Sequence, residues 1–404
     1  MKPIKLLMIV TAAALITFGL GGYTLAFHEG GVAHCDGCHT MHNSQDGQTI
    51  IKGGTVGTTG KSLTIGAGPS STCLQCHARN TSSYAVLGID TDVALLPGGD
   101  FIWIKKTFTW SGHGGPSEGD THGHNVIATD FGLDVDTINQ SGTAPGGTFP
   151  VGQLECSSCH DPHGKKTNKE GPIEESGSYG ADPNVVETGN YRLLADVGYK
   201  PGGTTITFTN PPPIATTASF GDFNSSPTGG ENDTMHTDYG QGMSEWCGNC
   251  HTQFLASGAS GQLKHPNGNS AFLGDLAENY NQYIKTGDFN GTSADSYLSL
   301  VPFERHTSDP TVPSLDPTSD TGPSTGSNVM CLTCHRAHAS AFPDAGRWDF
   351  TTELPFHDYH PSPTDGGYFA NAEKLAYYNR DIDGEFDAQN PVQRSLCNKC
   401  HVQD

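Results

Sequence analysis

The chain has 404 residues, with 43 acidic side chains against 21 basic ones and a formal charge of −22. That acidic excess disfavours nucleic acid as a partner and suits cationic partners or mineral surfaces reached through bound metal ions. Leu, Ile, Val and Phe make up less than a fifth of the residues, while Gly (52) and Pro (25) are abundant. A chain of this composition has too little apolar side-chain surface to bury for an ordinary folded core.

Residues 1–26 read as a secretory signal. Lys2 and Lys5 form its basic start, Leu6 to Leu20 its apolar core, and Thr24-Leu25-Ala26 its small-residue cleavage site before Phe27. The apolar core falls short of the roughly 18–20 residues that span a bilayer. No cysteine lies near the cut to carry a lipid, and no later segment has the length and apolarity to cross a membrane. Residues 27–404 are therefore expected to be exported and to form one structural unit.

Cys35-Asp36-Gly37-Cys38-His39 opens a pattern that recurs at Cys73–His77, Cys156–His160, Cys247–His251, Cys331–His335 and Cys397–His401. The six copies use all 12 cysteines. C-x-x-C-H is the attachment motif of haem c: two thiols form thioethers to the vinyl groups and the histidine reaches the iron. Disulfides or structural zinc would also use paired cysteines. Neither requires a histidine directly after every pair. The reading is thus six covalent haems c, held by Cys35 and Cys38, Cys73 and Cys76, Cys156 and Cys159, Cys247 and Cys250, Cys331 and Cys334, and Cys397 and Cys400. Their proximal ligands are His39, His77, His160, His251, His335 and His401. Six apolar macrocycles, at roughly 25 cal/mol per Å² of apolar area buried, replace the missing aliphatic core. The expected fold is a coil-rich multihaem c-type cytochrome with few short helices and minimal strand, wrapped around a linear array of six haems. Without haem it is not expected to fold.

The motifs are unevenly spaced, so no fixed-period solenoid is expected. Gly/Thr/Ser-rich linkers run over 53–71, 141–152, 201–230 and 308–328. Phe101–Trp110 and Thr204–Thr209, rich in β-branched and aromatic residues, read as short strands. Met243–Ala256 and Phe272–Thr286 read as helices, the second placing Leu273, Leu276, Tyr280 and Tyr283/Ile284 on one face. Asn371–Arg380 is a third short helix candidate.

Each iron needs a sixth ligand. Met41, Met235, Met243 and Met330 are too few for uniform His/Met ligation, whereas the histidines suffice for bis-His ligation throughout, which implies lower potentials. Three histidines follow a motif as C-H-x-x-H: His42, His163 and His338. A histidine three residues past the proximal one leaves the same turn and cannot reach the opposite face of the same porphyrin. It must ligate a different iron, which draws two haems together.

The stretches CDGCHTMHNS from Cys35, CSSCHDPHGK from Cys156, YGQGMSEWC ending at Cys247, CLTCHRAHAS from Cys331 and LCNKCH from Leu396 resemble the OmcS-type family of hexahaem nanowire cytochromes from metal-reducing bacteria. Phe27-His28, PGGDF at Pro97 and LKHP from Leu263 extend the similarity over essentially the whole exported chain, most weakly across 308–328 and 346–367. The resemblance implies bis-His irons in one continuous file of parallel and T-shaped haem contacts. It implies His28, His42, His124, His163, His265 and His338 as distal ligands, with His42 crossing to the Cys331/Cys334 haem of the next subunit. His122 competes locally with His124. His34 is too constrained beside Cys35. His113, His236, His306, His357 and His360 fall at no family position and read as surface or hydrogen-bonding residues, the last two as an alternative weak metal pair.

Three functions compete. The first is an extracellular conduit, polymerised head to tail, that takes electrons from other outer-surface multihaem cytochromes to Fe(III) oxides or electrodes. The second is a monomeric periplasmic or surface shuttle. The third is a multihaem reductase, but reductases of this kind often mark an open iron with lysine in place of the motif histidine, and the chain has no C-x-x-C-K. The expectation is an electron carrier rather than an enzyme.

Overall fold

The computed structural model describes residues 35–44, 48–49, 63–78, 85–89, 96–109, 116–136, 142–162, 190–218, 231–255, 265–283, 290–307, 315–348, 350 and 396–401. The leader over 1–26, the helix expected at 371–380, and His28, His34, His113, His163, His357 and His360 lie outside them.

Helices are short and follow the motifs. They are α1 (Cys35–Cys38), α2 (Pro69–His77), α3 (Cys156–Cys159), α4 (Met243–Cys247), α5 (Thr252–Leu255), α6 (Leu276–Gln282) and α7 (Cys331–Cys334), with a 3-10 turn at Leu396–Lys399. Three of these are the four residues of a C-x-x-C unit and nothing more. One helical turn brings residues i and i+3 to the same face, so two thiols reach one group. Among the described residues, strand is confined to two antiparallel pairs. β1 (Phe108–Thr109) pairs with β2 (Pro116–Ser117), and β3 (Ile214–Thr217) with β4 (Thr237–Gln241), broken by a bulge after Ile214.

Two apolar clusters carry the packing of the described residues. The larger gathers Leu74, Phe101–Ile104, Tyr280, Tyr297, Phe303 and Phe342, and the motif cysteines Cys334 and Cys400 pack against it. The smaller holds Tyr191, Tyr239, Met243, Met330 and Leu332, with Cys247 against it. Met243 and Met330 are thus core residues, and Met41 is 71% exposed.

Local expectations fare unevenly. Phe101–Trp110 is not one strand. Asp100 accepts the Ile102 N–H at 2.8 Å and turns Phe101–Lys105 into a 3-10 helix, with Phe108–Thr109 in a ladder and Trp110 outside the described residues. All four of Phe101, Ile102, Trp103 and Ile104 are buried, so no two-residue alternation exists for a strand to express. Thr204–Thr209 runs without ladder partners. The Phe208 and Thr209 N–H groups donate instead to the Tyr199 carbonyl and the Asn249 side chain. The helix expected from Met243 is broken into α4 and α5 by the turn that presents Cys250 and His251. The helix in 272–286 forms over Leu276–Gln282 and buries Tyr280 and Tyr283 as expected. Within the stretches read as linkers, Pro69 already starts α2 and Ile214–Thr217 is β3.

Asp100 is fully buried and also accepts the Gly88 N–H at 2.8 Å. Asp100→Ala should cost about 2 kcal/mol, read as an earlier guanidinium unfolding midpoint with the haem complement unchanged.

Candidate haem sites

At four motifs the histidine N–H donates to the carbonyl of the first cysteine: His160 to Cys156 and His251 to Cys247 at 3.0 Å, His335 to Cys331 at 3.1 Å and His401 to Cys397 at 3.0 Å. This bond closes one turn and sets each imidazole against its thiol pair. None of the described cysteines is in a disulfide. Among the described residues no group of three His, Cys, Asp or Glu side chains is placed to hold a bare metal ion.

Thiols of successive motifs influence one another. Cys73 is raised well above the usual thiol range, first by its hydrogen bond with Cys156, then by burial, with a smaller push from Cys38. Burial and then Cys250 push Cys159 up to about 12. Cys247 is raised by its hydrogen bond with Cys331, and burial followed by Cys397 and Cys400 pushes Cys334 up to about 12. Each motif therefore feels the thiols of the next, from the first to the sixth.

Among the described residues, three proximal histidines face a second histidine. Ring centroids are 6.4 Å apart for His160 and His338, 6.0 Å for His251 and His124, and 5.9 Å for His401 and His265. Two imidazoles trans on one metal, each nitrogen about 2 Å from it, place their centroids roughly 6 Å apart. Their Nδ1–H groups are committed elsewhere. His160 donates to Arg192 O at 2.8 Å, His251 to Pro145 O at 2.7 Å and His335 to Asp344 O at 2.7 Å. His124 donates to Ala337 O at 2.7 Å, His265 to Pro266 O at 2.9 Å and His338 to Gly99 O at 3.3 Å. A carbonyl partner fixes the tautomer and leaves Nε2 with the lone pair a metal requires. Burial first, then His160, lowers His338 to about 3, and burial followed by His251 lowers His124 to about 4. Both are thus held neutral, the ligating form. Haem c fits this donor set, with thiols on one turn and neutral imidazoles on opposite sides. Arg347 Nη2 beside the fifth motif and Gln75 Nε2 inside the second are buried donors with no partner, suited to the carboxylate edge of a haem.

The three C-H-x-x-H motifs share a strap. Ile65, Ala195 and Arg347 donate their N–H to the carbonyls of Cys38, Cys159 and Cys334 at 2.9, 2.9 and 2.8 Å. Leu63, Leu193 and Ala345 accept from the residue after the proximal histidine, and all three are left-handed, with φ of 59°, 56° and 54°. Arg192 and Asp344, whose carbonyls hold His160 and His335, are left-handed too. Such conformations in non-glycine residues cost about 1–3 kcal/mol each and persist where geometry demands them. The joints between motifs also repeat. Cys156 and Cys331 each donate their N–H, at 2.9 Å, to a serine hydroxyl (Ser70, Ser244) three residues before the first cysteine of the preceding motif.

Of the histidines expected as ligands, His124, His265 and His338 are brought opposite motif histidines, and His42 is exposed on the first motif's turn. His122 is not opposite a motif histidine. Its ring is fully buried and bonds Ser340 O at 3.2 Å. His236 is a hydrogen-bonding residue, as expected, but not a surface one: it is fully buried, donates to Asp233 O and stacks 3.9 Å from Tyr297. His306 is exposed, with the Phe272 ring at 4.9 Å. Sequence reasoning missed the carbonyls that hold the ligands. Two of them lie in Pro-Gly-Gly loops, at 97–99 and 145–147, and that repeat was the available signal. A Cβ on Gly99 (φ +87°) would meet Ala339 O at 2.0 Å, and one on Gly147 would meet Cys250 O at 1.6 Å. Only glycine lets these loops lie against a motif closely enough.

Thiol pairs on single helical turns, filed in chain order and faced by neutral imidazoles, define a multihaem c-type cytochrome. The chain belongs to the OmcS family of such cytochromes: it is 42% identical over 443 aligned positions to the C-type cytochrome OmcS of Geobacter sulfurreducens, covering 100% of both. Two cryo-EM or filament structures from that organism, one of the OmcS nanowires and one of an outer membrane cytochrome S filament, each match with a TM-score of 0.78 and 41% identity, over 94% of this chain and 100% of theirs. No protein-family model matches the chain.

His124→Ala should turn one haem from low-spin to high-spin in the electron paramagnetic resonance spectrum, whereas His122→Ala should leave every haem low-spin. The reverse result would exchange their roles.

Proposed function

We propose that residues 1–26 export the chain and that residues 27–404 act as a single extracellular unit carrying electrons along six haems c. The observation that carries this reading is the facing of motif histidines by further imidazoles about 6 Å away, together with the bonds that tie Cys156 to Ser70 before the second motif and Cys331 to Ser244 before the fourth. Each haem supplies a one-electron Fe(III)/Fe(II) centre whose potential the axial ligands and surroundings set. The chain's own part is to hold each iron between two imidazoles and to keep successive centres in contact. An iron closed on both faces offers no site to a substrate, which favours electron transfer over enzymatic reduction.

The proximal ligands in this reading are the six motif histidines, His39, His77, His160, His251, His335 and His401. His338 takes the iron of the third motif, His124 the fourth and His265 the sixth, as their facing rings suggest. His338 stands in the fifth motif's turn and faces the third motif, two motifs back. The same step from the third motif pairs His163 with His39. From the first motif it leads out of the chain, to the fifth motif of another copy, and His28 remains for His77. His42 is exposed beside the 71% exposed Met41, as a crossing ligand requires. The ring beside His335 among the described residues is that of Phe350, edge-on at 5.5 Å.

A ligand donated from head to tail is a heterologous contact, which propagates into an open filament. The solved relatives are a nanowire and a filament, and they support the same assembly here. The proposed outer partners are other surface multihaem cytochromes, Fe(III) oxides and electrodes. Among the described residues no helix is long and apolar enough to cross a membrane.

His42→Ala should abolish filaments in electron micrographs and pelleting assays while six haems remain attached, one of them high-spin. Filaments of normal length from this variant would contradict the crossing ligand, whereas dispersed particles from the native protein and the variant alike would leave a soluble shuttle.

A further inference from the structure

Of the residue pairs between motif cysteines, only Asn398-Lys399 of the sixth motif contains a cation. In a chain of formal charge −22 this lysine is 1% exposed. Its ammonium donates to the carbonyls of Tyr283 at 2.6 Å and Ser296 at 2.8 Å. It also lies over the Tyr280 ring, 4.4 Å from the centroid, and 5.7 Å from that of Tyr283. Both rings are themselves fixed: Tyr280 is 1% and Tyr283 0% exposed, and the Tyr280 hydroxyl donates to Val301 O at 2.9 Å. Carbonyl dipoles and ring faces on these sides favour the charged ammonium and prevent it from swinging to water.

We propose that Lys399 is a potential-setting residue: its fixed positive charge raises the reduction potential of the haem on Cys397 and Cys400. The physical ground is Coulombic. Reduction of Fe(III) to Fe(II) removes one positive charge from the centre, so a cation locked nearby in a poorly polarisable interior favours the reduced state. Lys399 stands between the two attachment cysteines of that haem, next to Cys400 and two residues before His401. A merely structural tie between the sixth motif and the carbonyls at 283 and 296 would need donors but not a charge.

The inference rests on the six-haem reading above, which haem counting and spin state test separately. The experiment is a potentiometric titration of the assembled haem protein carrying Lys399→Met, Lys399→Gln or Lys399→Arg, each first checked for six low-spin haems. In the Met and Gln variants one of the six potentials should fall by at least 59 mV, a tenfold change in that haem's redox equilibrium. The Arg variant should keep it near the native value. Gln retains donors for one of the two carbonyls, so it reads the charge if Met fails to assemble. Six native potentials in a folded Gln or Met variant would overturn the proposal. So would loss of haem from both, which would make Lys399 a structural tie.

Discussion

Everything in this molecule depends on two imidazoles meeting across a gap that fits one metal ion. His160 and His338 are far apart in the chain, as are His124 and His251, yet each pair closes to about the separation a shared iron imposes. A chain so poor in aliphatic residues gains little from folding its long loops alone, because loop closure costs entropy that apolar burial must offset. In the proposed reading, covalent haem with an axial ligand from each side would divide those loops into shorter ones. The Nδ1–H···O=C bonds then explain why the surrounding coil is ordered in the way it is. Pro145, Arg192, Ala337 and Asp344 supply backbone carbonyls that aim an imidazole, and the left-handed strain at Arg192 and Asp344 accompanies that aim.

The turn at 335–338 shows how far one short segment reaches. His335 belongs to the fifth motif, His338 faces His160 of the third, and Ala337 O holds His124 opposite His251 of the fourth. Gly99 and its neighbours lie directly on this turn, and Arg347 donates from behind it to Leu332 O and His335 O. Arg336 and Arg347 converge there on Glu231, and all three are buried. Removing one partner of such a buried cluster strands the others, so the turn is braced electrostatically as well as by backbone bonds.

The motifs, the coil-rich class and the family were legible in the sequence because C-x-x-C-H is a covalent requirement that survives any local folding. The strand expected at Phe101 was not legible. Composition reports β-branched and aromatic content, but a capping Asp100 and burial of four consecutive side chains decided the backbone. The C-H-x-x-H spacing predicts a ligand for a different iron, and His338 stands opposite His160 of another motif. Which motif it would face depended on tertiary contacts between segments far apart in the chain. The strap and serine joints recur without a fixed sequence period, joining Ser70 to Cys156 as Ser244 joins Cys331. A search for evenly spaced repeats misses such a pattern.

The central claim is that histidine pairs, most of them from distant motifs, close every iron in one file continued between copies. Electron cryo-microscopy of the native assembly tests it most directly, by reading which two histidines flank each iron. The account predicts His160 with His338, His251 with His124 and His401 with His265, in a file that passes from copy to copy without a gap. An iron with an open face, or a file that ends within each copy, would contradict it.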